Sequence, residues 1–268
     1  MQQHRLPDSA DLPDVSVICP TYKRPQFLRK QVDNFFAQTY AGNLEMLILD
    51  DSPEPSAYLF GSEYRERGVR YYHMPEKRLT IGIKLQMMAT MAKGSIIAVF
   101  DDDDYYAPRY IERMREILGD ADFCTLSRWF AYSPADSTFG YWETDALLPA
   151  HYVFSPGQPV SRMPQSTDDW SADMVTAILW GYGFSYMWRK SVFPKVAIAD
   201  ITFGTACWDW DFYQKLKEAG FSTASAPDNE GLVVHILHSG STTKMFPQYL
   251  LPEFMLADYF PHYTPVET

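Results

Sequence analysis

The sequence predicts an α/β protein built on a mostly parallel sheet with helices on both faces, and three observations carry that expectation. Over residues 1–118, short β-rich runs alternate with longer helical patterns. Two of those runs end in carboxylates, Asp50-Asp51 and Asp101-Asp102-Asp103-Asp104, at strand ends where open α/β sheets bind ligands. After Leu126 the alternation gives way to aromatic segments of antiparallel character.

The elements follow in order. Val15 to Cys19 is the first strand, and Pro25 opens a helix in which Phe27, Leu28, Val32, Phe35 and Phe36 recur at helical spacing. Leu44 to Leu49 is the second strand and runs into the polar turn Asp50-Asp51-Ser52-Pro53. Val69 to His73 is a third strand, Ile81 to Ala92 a helix closed by Gly94, and Ser95 to Phe100 a fully apolar strand leading into the four aspartates. Pro108 opens a further helix through Leu118. Trp129 to Tyr132 and Phe139 to Trp142 pair as antiparallel strands, and Gln158 to Asp173 is a mobile loop. Val175 to Arg189 regains strand character, Trp208 to Ala219 is a helix closed by Gly220, and a strand from Gly231 carries His235 and His238.

Composition excludes several function classes. With 46% apolar and 16% aromatic residues, a chain of 268 residues has ample material for a packed core. The net charge of −11 is concentrated after residue 118, where it is −9, the wrong sign for nonspecific binding to nucleic acid or an anionic membrane. Cys19, Cys124 and Cys207 form no close pair, so neither a zinc motif nor a disulfide framework is visible and a reducing compartment is expected. Met1 to Pro13 is polar, and no apolar run reaches the ~20 residues of a membrane helix. The expectation is a soluble, cytoplasmic protein.

The aspartate run is the most informative feature. Adjacent carboxylates repel one another unless something neutralises them, and Mg²⁺ or Mn²⁺ does so while taking only one or two protein carboxylates and completing its shell with water and phosphate. Alternation along an extended backbone puts Asp101 and Asp103 on one side and Asp102 on the other.

Four segments together resemble the inverting nucleotide-sugar transferases of glycosyltransferase family 2, with the GT-A fold. They are residues 17–25 (VICPTYKRP), 47–52 (LILDDS), 92–108 (AKGSIIAVFDDDDYYAP) and 207–212 (CWDWDF). The resemblance implies a Rossmann-like sheet with a smaller antiparallel acceptor-side sheet. It divides the chain into a nucleotide-sugar half, 1–126, and an acceptor half, 127–268, of one domain. Pro20, Thr21 and Tyr22 would line the nucleotide pocket, and Asp50 or Asp51, with Asp51 preferred, would accept the pyrimidine N3-H, a choice that favours uridine. Asp101 and Asp103 would form the DxD motif holding Mn²⁺ or Mg²⁺, with Asp102 on the ribose and His238, in preference to His235, completing the metal shell. A basic-plus-Asn pair frequent in the family falls on Leu85-Gln86, so Lys84 or Arg78 would touch the diphosphate. Asp209 would be the catalytic base, with Trp208 where the family often has Glu and Asp211 as the alternative.

These roles imply a metal-dependent transfer of sugar from a UDP-sugar to a hydroxyl acceptor. A glycan or small molecule suits the acidic, aromatic second half, and a nucleic acid docking through a local basic patch stays open. Two competing readings are a nucleotidyltransferase, which would want a Gly-rich loop where this chain has Pro-Thr-Tyr-Lys-Arg-Pro, and an inactive nucleotide-sugar-binding module.

Overall fold

The computed structural model describes residues 15–146, 152–163, 171–193, 195–200 and 207–266. β1 (Val15–Thr21) is buried along its whole length, and α1 (Pro25–Phe36) follows with Pro25 in its first turn, where a missing N–H costs no helical hydrogen bond. β2 (Leu44–Asp50), α2 (Ser62–Glu66), β3 (Val69–His73), α3 (Ile81–Met91) and β4 (Ile96–Val99) complete the alternation. β1 pairs in parallel with β2 and β4, and β2 with β3. Side chains alternate across β1: Val15, Val17 and Cys19 pack with Leu28 and Val32 of α1, whereas Ile18 packs with Leu85 and Met88 of α3. Helices therefore cover both faces.

Beyond β4 the four aspartates form a turn, which corrects the extended alternation expected of Asp101 to Asp103. Gln31 and Asn34 of α1 donate to the carbonyls of Asp101 and Asp104, and the Asp101 N–H donates to the Tyr106 hydroxyl at 2.9 Å. These bonds bend the chain back into β5 (Tyr105–Tyr106), ahead of α4 (Tyr110–Leu118).

β6 (Phe123–Ser133) and β7 (Thr138–Glu143) form the expected antiparallel ribbon, with Trp129 opposite Trp142. β8 (Tyr152–Val153) and β9 (Ser161–Arg162) pair separately. α5 (Ala172–Trp180), β10 (Met187–Arg189), α6 (Trp208–Glu218), β11 (Thr223–Pro227), β12 (Val233–Ile236), β13 (Tyr249–Leu251) and α7 (Met255–Tyr259) follow. The main sheet runs β13-β7-β6-β10-β4-β1-β2-β3, with β11 and β12 both paired to β6. β10 lies antiparallel to β4 and to β6, so the antiparallel ribbon continues the parallel sheet. The change of pattern at Leu126 falls inside β6.

Val175 to Arg189 departs from expectation. α5 takes its first part, a single turn spans Gly183–Ser185, and only Met187–Arg189 is strand. Ser171 caps α5 by accepting the Met174 N–H at 3.2 Å, and Trp180 stacks on Tyr213 of α6 at 4.4 Å. A run such as Val-Thr-Ala-Ile-Leu fits strand or helix by composition, and packing decides. The loop expected over Gln158 to Asp173 holds β9 at one end and the start of α5 at the other, and its residues 164–170 lie outside the described residues. No helix among the described residues is long and apolar enough to cross a membrane.

Candidate active site

The carboxyl ends of β1 and β4 open onto a cavity of about 280 Å³. Of the residues expected at the site, Pro20, Thr21, Tyr22, Lys84, Asp101, Asp102 and Asp103 line it, together with Arg78 and His235, while Gly240 to Thr243 close one side. A second cavity, of about 400 Å³, lies against α1 on the other side of the same aspartates, and His238 is on its wall.

Carboxylate oxygens of Asp101, Asp103 and Asp104 come within 4.8 Å of one another. Each aspartate of the run has its own partners. Arg24 Nη1 donates at 2.7 Å to both Asp102 Oδ1 and Asp103 Oδ2, and its Nη2 donates to the Gly240 carbonyl. His238 Nε2 lies 2.8 Å from Asp103 Oδ2, and the Gly240 N–H donates to His238 Nδ1 at 3.1 Å. A backbone N–H can only donate, so Nδ1 holds a lone pair and the proton of a neutral ring sits on Nε2, aimed at Asp103. Asp104 accepts the Ile236 N–H at 2.9 Å and binds His235 Nδ1 at 2.6 Å, tying β12 to the run. Among the described residues, the buried Thr21 Oγ1 and Asp102 Oδ2 have no hydrogen-bond partner beyond each other, the Thr21 hydroxyl lying close enough to favour the ionised Asp102 carboxylate.

The electrostatics follow from those contacts. Burial, with the charges of Asp104 and Asp103, pushes Asp101 well above the carboxylate range. Burial and the Asp103 charge push Asp102 up to about 6. For Asp103, burial is outweighed by the His238 hydrogen bond and the Arg24 charge, and its carboxyl is held below its ordinary value. His235 goes the other way: the charge and hydrogen bond of Asp104 overcome burial and raise it to about 9. The run is thus compensated by cations from two distant segments.

Asp50, the last residue of β2, and Asp51, just past it, do different work. Asp51 is fully engaged, accepting from Arg78 Nη1 at 2.9 and 3.0 Å, from the Leu79 N–H at 2.6 Å and from Lys84 Nζ. Lys84 also donates to the Thr21 carbonyl at 2.7 Å, and its side chain is buried. Arg78 lies over the Tyr22 ring at 3.4 Å, on the cavity wall. Asp50 closes its own turn by accepting from the Ser52 N–H at 2.8 Å and from the Tyr71 hydroxyl at 2.7 Å.

Asp209, in the first turn of α6, has no cation among its partners in the described residues. It accepts the Gly183 N–H at 3.1 Å and the Trp210 N–H at 2.8 Å. Burial pushes its carboxyl up to about 7, against the pull of those two N–H groups. The Gly183–Ser185 turn links it to the aspartate run, since the Phe184 carbonyl accepts at 2.8 Å from the Tyr106 hydroxyl that receives the Asp101 N–H. Asp211 instead pairs with Lys215 one turn on, at 2.6 Å. Trp208 packs on Gly183, where a Cβ would sit 2.1 Å from its Cζ2.

The family model for glycosyl transferase family 2 matches residues 16–187, well over half of the chain. The chain belongs to glycosyltransferase family 2. Among curated relatives, it is 25% identical over 133 residues to glycosyltransferase GlyG of Streptococcus pneumoniae, covering 48% of this chain and 44% of that one. It is 28% identical over 146 residues to an uncharacterized glycosyltransferase of Rickettsia felis, covering 51% of this chain and 23% of that one. The chain therefore spans less than half the length of these relatives. Its fold is the GT-A arrangement, similar to S. aureus TarS 1-349 in complex with UDP-GlcNAc (TM-score 0.60, 12% identity, 85% of this chain and 60% of that one). It is also similar to the mannosyltransferase PcManGT from Pyrobaculum calidifontis in complex with GDP-Man and Mn²⁺ (TM-score 0.54, 15% identity, 86% and 58%).

Three residues of this family 2 site escaped the sequence reading. Arg24 stood inside a quoted motif with no role attached, Asp104 was one carboxylate among four, and Gly183 lay in a segment read as strand. Only for Arg24 was there a signal, a guanidinium in the loop after the first strand.

Proposed function

We propose that this chain transfers a sugar from a UDP-sugar to a hydroxyl acceptor with inversion, using Asp209 as general base and an Mn²⁺ or Mg²⁺ site built on Asp101 and Asp103. One observation carries the reading: a cluster of carboxylate oxygens within 4.8 Å of one another beside a cavity walled by Asp101, Asp102, Asp103 and Thr21. An all-oxygen donor set suits a hard divalent cation that keeps positions open for phosphate oxygens. When bound, such an ion stabilises the negative charge growing on the departing nucleoside diphosphate.

The protein's own groups supply the rest. Asp102 and Thr21 offer acceptor and hydroxyl to the ribose, and the Tyr22 ring forms the wall for the base. His238 acts through Asp103, as a donor orienting that carboxylate, because its proton is directed there by the Gly240 N–H. This differs from the metal-ligand role implied by the resemblance. Asp209 takes the proton of the acceptor hydroxyl as that oxygen attacks the anomeric carbon on the face opposite the leaving group. A carboxylate raised to about 7 is well matched to this task at neutral pH. Asp51 reads the uracil N3-H once Arg78 has turned away to the nucleotide, since its acceptor positions are otherwise taken.

The test is a panel of nucleotide sugars assayed with Mn²⁺ for release of the nucleoside diphosphate, followed by hydroxyl acceptors. UDP release from one UDP-sugar, abolished by chelator and recovered with Mn²⁺, is the expected outcome. Pyrophosphate release, or no turnover of any donor, overturns the proposal.

A further inference from the structure

Arg24 reaches the aspartate run for reasons set by the backbone. Lys23, just before it, sits in the left-handed region at φ +55°, and its N–H donates to Ser52 Oγ at 2.6 Å, pinning the loop to the turn after β2. Pro25 then starts α1, so Arg24 occupies the helix N-cap with little backbone freedom. From there the guanidinium makes three contacts at once, to Asp102 Oδ1, Asp103 Oδ2 and the Gly240 carbonyl. Gly240 belongs to the exposed segment 239–244, which walls the cavity. At its near end this segment is held by Arg24, by the Gly240 N–H to His238 Nδ1, and by the reciprocal bonds of His238 and Ser241; its far end is held by the Tyr182 hydroxyl on the Lys244 carbonyl at 2.8 Å.

We propose that Arg24 is the resident counter-cation of the aspartate run, that a divalent ion must displace it from Asp103, and that this exchange releases Gly240 and loosens the 239–244 wall of the donor cavity. The inference rests on the reading of Asp101 and Asp103 as an ion site. Arg24 Nη1 lies 2.7 Å from Asp103 Oδ2, so a divalent ion on either oxygen of that carboxylate would stand only a few Å from the guanidinium, and two cations at such a separation repel by several RT even with substantial screening. Nη1 serves Asp102 and Asp103 together while Nη2 of the same rigid plane holds Gly240, so a guanidinium pushed back from the aspartates shifts off the Gly240 carbonyl as well. The ion-free enzyme thereby keeps its carboxylates neutralised and its cavity wall in place, and ion binding opens the wall to the nucleotide.

The experiment titrates Mn²⁺ alone, without nucleotide, into wild type, Arg24→Gln and Arg24→Lys, following free Mn²⁺ by electron paramagnetic resonance and amide exchange of residues 239–243 by mass spectrometry. Arg24→Gln is expected to bind Mn²⁺ roughly tenfold tighter or more, and to gain more melting temperature from Mn²⁺ than wild type does. Arg24→Lys, which keeps the charge, stays near wild type in affinity and serves if the glutamine variant does not fold. Exchange at 239–243 rises with Mn²⁺ in wild type, and in Arg24→Gln is fast from the start. Wild-type binding with no tightening in Arg24→Gln, or Mn²⁺-insensitive exchange in wild type, overturns the role of Arg24 and leaves the ion site standing. No Mn²⁺ binding by any of the three removes the ion site and this proposal together.

Discussion

The carboxylates after β4 and the single carboxylate at the start of α6 are the same chemical group in opposite surroundings. Asp103 is met by a guanidinium and an imidazole N–H and is held below its ordinary value, whereas Asp209 meets only two backbone N–H groups and is pushed up to about 7. A carboxylate kept ionised by fixed cations is a ligand and an acceptor. One kept near neutrality by burial can take a proton and give it up. On the proposed roles, the comparison sets donor binding apart from the chemical step by electrostatics, and each half can be attacked on its own.

The largest effect is expected at the ligand end. Asp103→Ala should abolish turnover and metal-dependent nucleotide binding, measured by calorimetry with and without Mn²⁺, while the fold is retained at some cost in stability, because Arg24 and His238 lose the ionised acceptor they share. Equal UDP affinity with and without Mn²⁺ in the wild type would break that side of the comparison. At the other end, Asp209→Asn should lower kcat by ~10² to 10⁴ at nearly constant UDP affinity. A parallel loss of UDP binding would mean that the two regions are not separate.

Smaller effects sharpen the contrast. Gly183→Ala drives a methyl into the Trp208 ring and moves the N–H that holds Asp209, so kcat should fall by about tenfold to a hundredfold, as small misplacements of reacting groups do. Nucleotide affinity should hold, and a loss there instead would assign the Gly183–Ser185 turn to the donor side. In pH profiles, kcat/KM should rise through an apparent pKa near 7 and fall about tenfold per unit below it, because only ionised Asp209 accepts the proton. An acid limb near 4 would show Asp209 to be an ordinary exposed carboxylate. The smallest change belongs to Asp211→Asn, whose side chain pairs with Lys215 and whose loss should leave activity within about twofold, as for most partly exposed helix pairs. If it instead outweighs Asp209→Asn, the base lies two residues later than proposed.

Legibility differed between the same two regions. β1, β2, β3 and β4 were readable to within two residues at either end: β1, β2 and β4 are largely buried and read as mainly apolar runs that end where the polar turn begins, and the half-buried edge strand β3 reads through Val69, Tyr71 and Tyr72. The aspartate run was readable as a site because four adjacent carboxylates make little sense without a compensating charge. α5 was not, since a β-branched apolar run takes its conformation from what it packs against, here Tyr213 of α6. Asp209 was visible only through the resemblance; nothing local marks a carboxylate that will be buried.

By itself, the sequence determined the strand-helix alternation, the strand ends that carry carboxylates and the family to which they belong, since these depend on periodicity and on residues adjacent in the chain. Tertiary structure decided which charges meet. Arg24 joins Asp102, Asp103 and Gly240, His238 turns its proton to Asp103, and Asp104 holds His235, across separations of 78 to 216 residues. Those pairings, together with burial, set the charge of Asp102, Asp103 and Asp104. Coulomb energy and desolvation depend on distance through space, which the order of residues along the chain does not encode.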